Sequence, residues 1–313
     1  MRVYLTGASG FVGSNLAHVF AQEQGAEVVA PSHEYVDLTD ELMVRRSVRA
    51  TRPDVVVHAA IWNDPAGLRS DRRRAWASYV GATRNAAVAA NTVDAHFVLI
   101  STDWVFDGTQ GPATELEPPN PINTYGFLKA CSELITREIA ARGLVARIAG
   151  VQGVHRARPN LPRAQDAGFG YLVASLVEAL RRGQRFTLWD GPGLNRIATP
   201  TLATDAARLL WRAIAAQATG VIHCCGGEHA DRVGLARRAI DAFGLDAALL
   251  EVAVPPARVL GDEAIPRDTR LDGVATAQAL GTVPTRLGAT LARLREEIDS
   301  PPEPSPVEEV RTC

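Results

Sequence analysis

Short apolar runs alternate with longer amphipathic ones along the first half of the chain. Residues 2–6 are the first apolar run, and an amphipathic stretch follows to about Gln24. Glu27-Val28-Val29-Ala30 reads as a second strand, and a polar helical segment covers about Thr39 to Arg52. Asp54-Val55-Val56-Val57-His58-Ala59-Ala60 is nearly all apolar, the mark of a strand covered on both faces. Residues 72–91 are Ala-rich and helical, His96–Ser101 is again a strand, Tyr125–Arg142 again a helix, and Leu144–Ile148 a further strand. Strands alternating with helices imply right-handed crossovers and a parallel sheet. The predicted class is therefore α/β, a Rossmann-type doubly wound parallel sheet, whose ligands lie at the carboxyl ends of the strands.

The alternation is regular to about residue 150 and looser beyond it, with turns such as Asp190-Gly191-Pro192-Gly193. Residues 1–150 are expected to form one domain. Residues 151–299 form a smaller α+β region partly interleaved with it. Residues 300–313 lack periodicity and read as a disordered tail.

Composition narrows the function classes. Hydrophobic residues make up 46% and charged residues 22%, as in an ordinary globular protein, and the formal net charge of −2 gives no pull towards nucleic acid or an anionic membrane. The one dense basic run, Arg69–Arg74, reads as a solvated helix face. No signal peptide or membrane-spanning run is evident. Cys131, Cys224, Cys225 and Cys313 have neither disulfide-framework nor zinc spacing, so a reducing cytoplasm and no metal site are expected. Adjacent Cys224 and Cys225 on a strand would point to opposite faces.

Candidate chemistry begins at Thr6-Gly7-Ala8-Ser9-Gly10-Phe11-Val12-Gly13, between the first strand and the first helix. Gly7 permits a tight turn, Gly10 a close approach of backbone to a pyrophosphate, and Gly13 close helix packing. The helix N-terminus adds unpaired N–H groups and a positive dipole end. The position suits a dinucleotide, so 1–150 is read as an NAD(P)-binding domain and 151–299 as mainly substrate-binding. After the second strand, Ala30-Pro31-Ser32-His33 carries no carboxylate for a ribose 2′-hydroxyl, Glu34 being late. Ser32 is a candidate contact, and Arg2 is considered for a 2′-phosphate. NADP is preferred over NAD, with use of both left open.

Tyr125 and Lys129 are four residues apart and so neighbours on one helix face. A nearby ammonium favours the phenolate and would draw the phenol towards the working range. Upstream, Ser101-Thr102-Asp103-Trp104-Val105-Phe106-Asp107-Gly108 begins where a buried strand ends, where site residues collect in this architecture. A hydroxyl there could hold a substrate carbonyl while Tyr125 protonates it.

With these segments the chain resembles the extended short-chain dehydrogenase/reductases, and within them the dTDP-4-dehydrorhamnose reductase family. The match extends to Asp37-Leu38-Thr39-Asp40, His58-Ala59-Ala60, Pro119–Gly126, Ala198–Thr201 and Arg267–Asp272, nearly the whole chain except the tail. The resemblance implies that Thr102 orients a keto oxygen, Tyr125 donates its proton, and Lys129 holds the nicotinamide ribose and depresses the phenol pKa. It also implies that Asp37 and Leu38 border the adenine and that Ala59 and Ala60 line the pyrophosphate and ribose groove. Asp103 is expected to fix the turn. Trp104 stands where the family usually has tyrosine, and Ala149-Gly150-Val151-Gln152 where it has a tryptophan and a tyrosine. Trp104, Val105, Gly150 and Val151 are therefore the candidate substrate contacts, in a reshaped sugar pocket.

The implied activity is NAD(P)H-dependent reduction of a nucleotide-linked 4-keto-6-deoxysugar, in a chain that could be a homodimer. The alternatives are a sugar-nucleotide epimerase with tightly held NAD, and a regulatory chain like that of methionine adenosyltransferase. A 4,6-dehydratase fits less well, because Trp104 rather than glutamate follows Asp103.

Overall fold

The computed structural model describes residues 1–161, 163–257 and 260–300, and the backbone of 308–309. Its first half is β1 (Arg2–Thr6), α1 (Phe11–Ala21), β2 (Glu27–Ala30), α2 (Glu41–Thr51), β3 (Val55–His58), α3 (Pro65–Ser70), α4 (Arg72–Trp76), α5 (Ala82–Asn91), β4 (His96–Thr102), α6 (Thr124–Ile139) and β5 (Gly143–Ile148). Helix α2 begins and ends for local reasons. Asp40 accepts a hydrogen bond from the Met43 N–H at 3.0 Å, and Arg52 takes a left-handed conformation at φ 46°. The helix predicted over 72–91 is continuous but contains a π-helical segment, Ala77–Gly81, between α4 and α5. The basic run is split by Asp71, whose carboxylate caps α4 through the Arg74 N–H.

The second half comprises β6 (Val151–Gln152), α7 (Leu172–Arg181), β7 (Phe186–Trp189), β8 (Ile197–Ala198), β9 (Thr201–Leu202), α8 (Ala203–Ala215), β10 (Gly220–Cys224), β11 (Ala230–Asp231), α9 (Arg232–Phe243), β12 (Leu250–Ala253), β13 (Asp268–Thr269), α10 (Val274–Ala279), α11 (Leu287–Asp299) and β14 (Glu308–Glu309). The main sheet runs β10-β5-β4-β3-β1-β2-β14, and every pair in it is parallel. Strand β10 comes from the second half, and α8 packs with α1 in one core containing Leu16, Phe20, Leu210 and Ile214. The remaining elements of the second half cover their own core, built on Leu172, Leu176, Leu235, Ala239, Leu287 and Leu291.

The tail expected to lack structure contributes one short edge strand, β14, alongside β2. Residues 301–307 and 310–313 of that segment, including Cys313, lie outside the described residues. Cys224, the last residue of β10, and Cys225, just beyond it, join different clusters. Among the described residues, no helix is long and apolar enough to cross a membrane, and no three potential metal ligands converge.

Candidate active site

Because all strands of the main sheet are parallel, β1, β3, β4 and β5 end on one edge, at Thr6, His58, Thr102 and Ile148. The chain leaves β1 for α1 on one side and returns through β3 on the other, so the crevice beside Thr6 is the topological switch point. Gly7 turns there at φ 78°, and a Cβ on it would stand 2.6 Å from the Ala60 nitrogen and 2.7 Å from the Ala59 carbonyl carbon. Gly7, Ala59 and Ala60 are thus brought together, as expected. A Cβ on Gly13 would stand 2.0 Å from the Gly7 oxygen, so Gly13 packs the helix onto the turn itself. At Gly10 the nearest obstacle is a single oxygen at 3.2 Å, and Ser9 and Gly10 are exposed. This is an open backbone cradle at the start of an eleven-residue helix, suited to a dinucleotide pyrophosphate. Phe11 lies against Tyr171 with ring centroids 4.7 Å apart, and half-buried Val12 packs on the core below.

Beyond β2, the Asp37 carboxylate is engaged by the Thr39 N–H at 2.8 Å and the Thr39 hydroxyl at 2.7 Å. Half-buried Leu38 offers its carbonyl to Asn85 at 3.0 Å, and the Ser32 hydroxyl accepts from the Glu34 N–H at 3.3 Å. Arg2 cannot serve a 2′-phosphate here. It sits at the amino end of β1, away from the turn, donating to Glu27 at 2.8 Å and to the Thr51 carbonyl at 2.9 Å.

At the end of β4, Thr102 opens a single 3-10 turn, Asp103–Val105. The Thr102 hydroxyl donates to Asp103 Oδ1 at 3.0 Å and accepts from the Trp104 N–H at 3.2 Å. Asn123 caps α6 by accepting from the Gly126 N–H at 2.8 Å. Gly126 then lets the helix touch the turn: a Cβ there would stand 2.1 Å from the Trp104 oxygen. That close contact sets Tyr125 beside the turn, edge-on to Trp104 with ring centroids 6.1 Å apart. Tyr79, from the π-helical segment, meets Tyr125 from another side at 6.2 Å.

Burial pushes the Tyr125 phenol up to about 12; the Thr102 hydroxyl eases it down and the Asp103 charge adds to the rise. Lys129, 4% exposed, donates its ammonium hydrogen bond to the Ile100 carbonyl. Burial lowers Lys129 to about 8, and Glu133 pulls it back up. Desolvation is the larger influence on the phenol here, and Tyr125 holds its proton at neutral pH. His58 is buried, bonded to the Thr6 hydroxyl at 2.8 Å and lowered to about 3 by burial and by Lys129, so it is a neutral spacer.

Asp103 is buried and raised to about 6, chiefly by desolvation, against hydrogen bonds from Thr269 and Thr102 that lower it. Its folded pKa exceeds its ordinary 3.8, so the folded state holds the proton more tightly. That stabilisation is full below about 3.8 and lost as pH rises through about 6. Asp103→Asn should accordingly gain thermal stability relative to wild type as the buffer goes from pH 4 to pH 7. Melting curves that run parallel across that range would refute the assignment.

Two of the substrate candidates are corrected. Val105 is fully buried in a cluster with Phe106, Ala113, Ala149 and Leu271, so it faces no pocket; the single 3-10 turn points it inward. Gly150 does not mark space left by a lost ring. It has φ 49°, and a Cβ would meet the Thr199 oxygen at 3.0 Å, so the glycine serves the crossing of two backbones. Val151 is half-buried and pairs with Thr201 in the β6-β9 ladder. Trp104 is half-buried beside Tyr125. Its indole also approaches Gly168, where a Cβ would stand 3.2 Å away.

Sequence reasoning missed several residues. Asn123 was legible as an N-cap. Glu263 was not, because it lies 139 residues from the Thr124 N–H that it accepts at 3.0 Å. Tyr79 was hidden because its π-helical register breaks the helical period.

The family described as RmlD substrate binding domain matches residues 1–299. The chain belongs to that family. Curated relatives include dTDP-4-keto-6-deoxy-D-glucose reductase from Streptomyces niveus, 28% identical over 91% of this chain and 93% of its own length. Methionine adenosyltransferase 2 subunit beta from Rattus norvegicus is 27% identical over 87% of this chain and 80% of its own. Among solved structures, the dTDP-4-dehydrorhamnose reductase from Bacillus anthracis in complex with NADP superposes with a TM-score of 0.79 at 20% identity, covering 95% of this chain and 99% of that one. RmlD-family membership thus joins a reductase-like set of residues to relatives of two kinds, one enzymatic and one a subunit of another enzyme.

Proposed function

We propose that this RmlD-family chain reduces a nucleotide-linked 4-keto-6-deoxysugar with NAD(P)H. The observation that carries the reading is a protonated phenol, Tyr125, beside the Thr102 hydroxyl and edge-on to an indole, on the sheet edge that holds the glycine cradle. A phenol with a pKa of about 12 is a proton donor, as a reductase needs in the forward direction. NAD(P)H, when bound, supplies a hydride to the carbonyl carbon. The chain supplies the rest: Thr102 orients the keto oxygen, Tyr125 passes its proton to that oxygen, and Trp104 walls the sugar. Lys129 then serves the nicotinamide ribose and the phenolate left behind. Gly7, Gly10 and Gly13 hold the pyrophosphate, with Ser9, Phe11 and Val12 around it; Ser32, Asp37 and Leu38 lie towards the adenosine, and Ala59 and Ala60 line the groove.

NADP is the preferred cofactor, since the end of β2 presents no carboxylate to a ribose 2′-hydroxyl. The purified protein should bind NADPH more tightly than NADH in a fluorescence titration and should oxidise it with dTDP-linked 4-keto-6-deoxysugars. NADH binding more tightly would reverse the cofactor preference. No NAD(P)H oxidation across a panel of keto sugar nucleotides would sink the reductase reading.

The likeness to the methionine adenosyltransferase beta subunit supports a second reading, a regulatory chain. Its signature would be a stable complex with a partner enzyme whose activation is untouched by Tyr125→Phe. An epimerase would instead retain NAD through purification.

A further inference from the structure

Tyr125, Lys129 and Glu133 follow one another at four-residue intervals on α6 and so form one stripe. Each meets the end of β4. Lys129 grips the Ile100 carbonyl, Glu133 grips the next residue, and Tyr125 stands beside the one after that, Thr102. The Glu133 carboxylate is 2% exposed and accepts from the Ser101 hydroxyl at 2.5 Å. It also accepts from Arg147 of β5, at 3.0 Å from Nε and 2.8 Å from Nη2. The Arg147 guanidinium, equally buried, lies 4.9 Å over the Phe106 ring and reaches His223 Nε2 at 3.4 Å. His223 Nδ1 is 2.8 Å from the Asp272 carbonyl, which cannot donate. The proton therefore sits on Nδ1, and Nε2 accepts from Arg147.

A buried carboxylate–guanidinium pair is a poor stability device: apolar residues of similar volume often do as well or better. Its placement suggests another use. Lys129 is the only lysine in the chain, against 32 arginines. Arginine stays charged in any setting, whereas a buried lysine can lose its proton. That one lysine sits one turn from Glu133.

We propose that Glu133 is a positioning residue: it fixes the end of β4 against α6, setting Thr102 against Tyr125, and it supplies the counter-charge for Lys129. The inference rests on the reading of Tyr125 and Lys129 as the reacting pair, but its decisive test does not. Without the carboxylate, burial and the unpaired Arg147 charge would act together on Lys129, whose pKa already lies at about 8.

Protein labelled with ¹³C in lysine carries a single side-chain signal to follow against pH. In Glu133→Gln the Lys129 midpoint should fall by about one pH unit, while Glu133→Asp should hold it near the wild-type value. A midpoint unmoved in folded Glu133→Gln overturns the proposal. Should that variant fail to fold, Ser101→Ala removes only the tie to β4. It should lower kcat about tenfold with NADPH affinity intact, and an unchanged kcat would overturn the proposal equally. A wild-type protein with no turnover would count against the reductase reading alone, because the titration needs no substrate.

Discussion

Tyr125→Phe should cut turnover by about 10²–10⁴-fold, the range typical of a lost general acid, while NADPH binding stays within a few-fold of wild type. The substitution removes one oxygen and keeps the ring. The edge contacts with Trp104 and Tyr79 that position the side chain therefore survive. The half-buried phenol carries its proton at neutral pH, and among the described residues the other acid beside it is Asp103. Asp103 is committed to Thr102 and Thr269. Steady-state kinetics with a keto sugar nucleotide, combined with a cofactor titration, reads both quantities. A variant with more than a tenth of wild-type kcat would remove Tyr125 from the chemistry.

Gly13→Ala should abolish cofactor binding and lower the stability of the whole domain, whereas Gly10→Ala should lower cofactor affinity alone. In an open helix, Gly to Ala gains about 1 kcal/mol of helix propensity. At position 13 the new Cβ would lie 2.0 Å from the Gly7 oxygen and 2.6 Å from its carbonyl carbon, both main-chain atoms of a turn already pressed on Ala59 and Ala60. Overpacking of this kind costs about 1–3 kcal/mol or more, and it outweighs the propensity gain because no flexible side chain can yield. At position 10 the only near atom is an oxygen at 3.2 Å, so the added methyl projects mainly into the ligand's space. Thermal melts and NADPH titrations of the two variants separate the cases. A Gly13→Ala protein that melts and binds like wild type would contradict the packing seen here.

Much of this was legible because the relevant interactions are local. The switch from short continuous apolar runs to amphipathic helices marked all five strands of the first half, with ends shifted by a few residues at most. The glycine turn could be placed between a strand and a helix, and Tyr125 with Lys129 on one helix face, from spacing alone.

What spacing could not supply was the direction in which burial acts. Spacing put Lys129 beside Tyr125, but only the packed structure shows its ammonium turned to the Ile100 carbonyl and burial raising the phenol. Gly150 looked like room for a sugar, and only the crossing of the Thr199 backbone shows otherwise. Arg2 looked free until Glu27, 25 residues on, claimed it.

The sequence by itself determined the doubly wound class, the glycine turn and the placing of Tyr125 and Lys129 on one helix face, because each depends on neighbours within a few residues or on the alternation of apolar runs and helices. The tertiary structure decided the protonation of Tyr125, the burial of Val105, and the link from α6 through Glu133 to β4 and β5. Those depend on desolvation and on side chains brought together from distant segments, which no local pattern encodes.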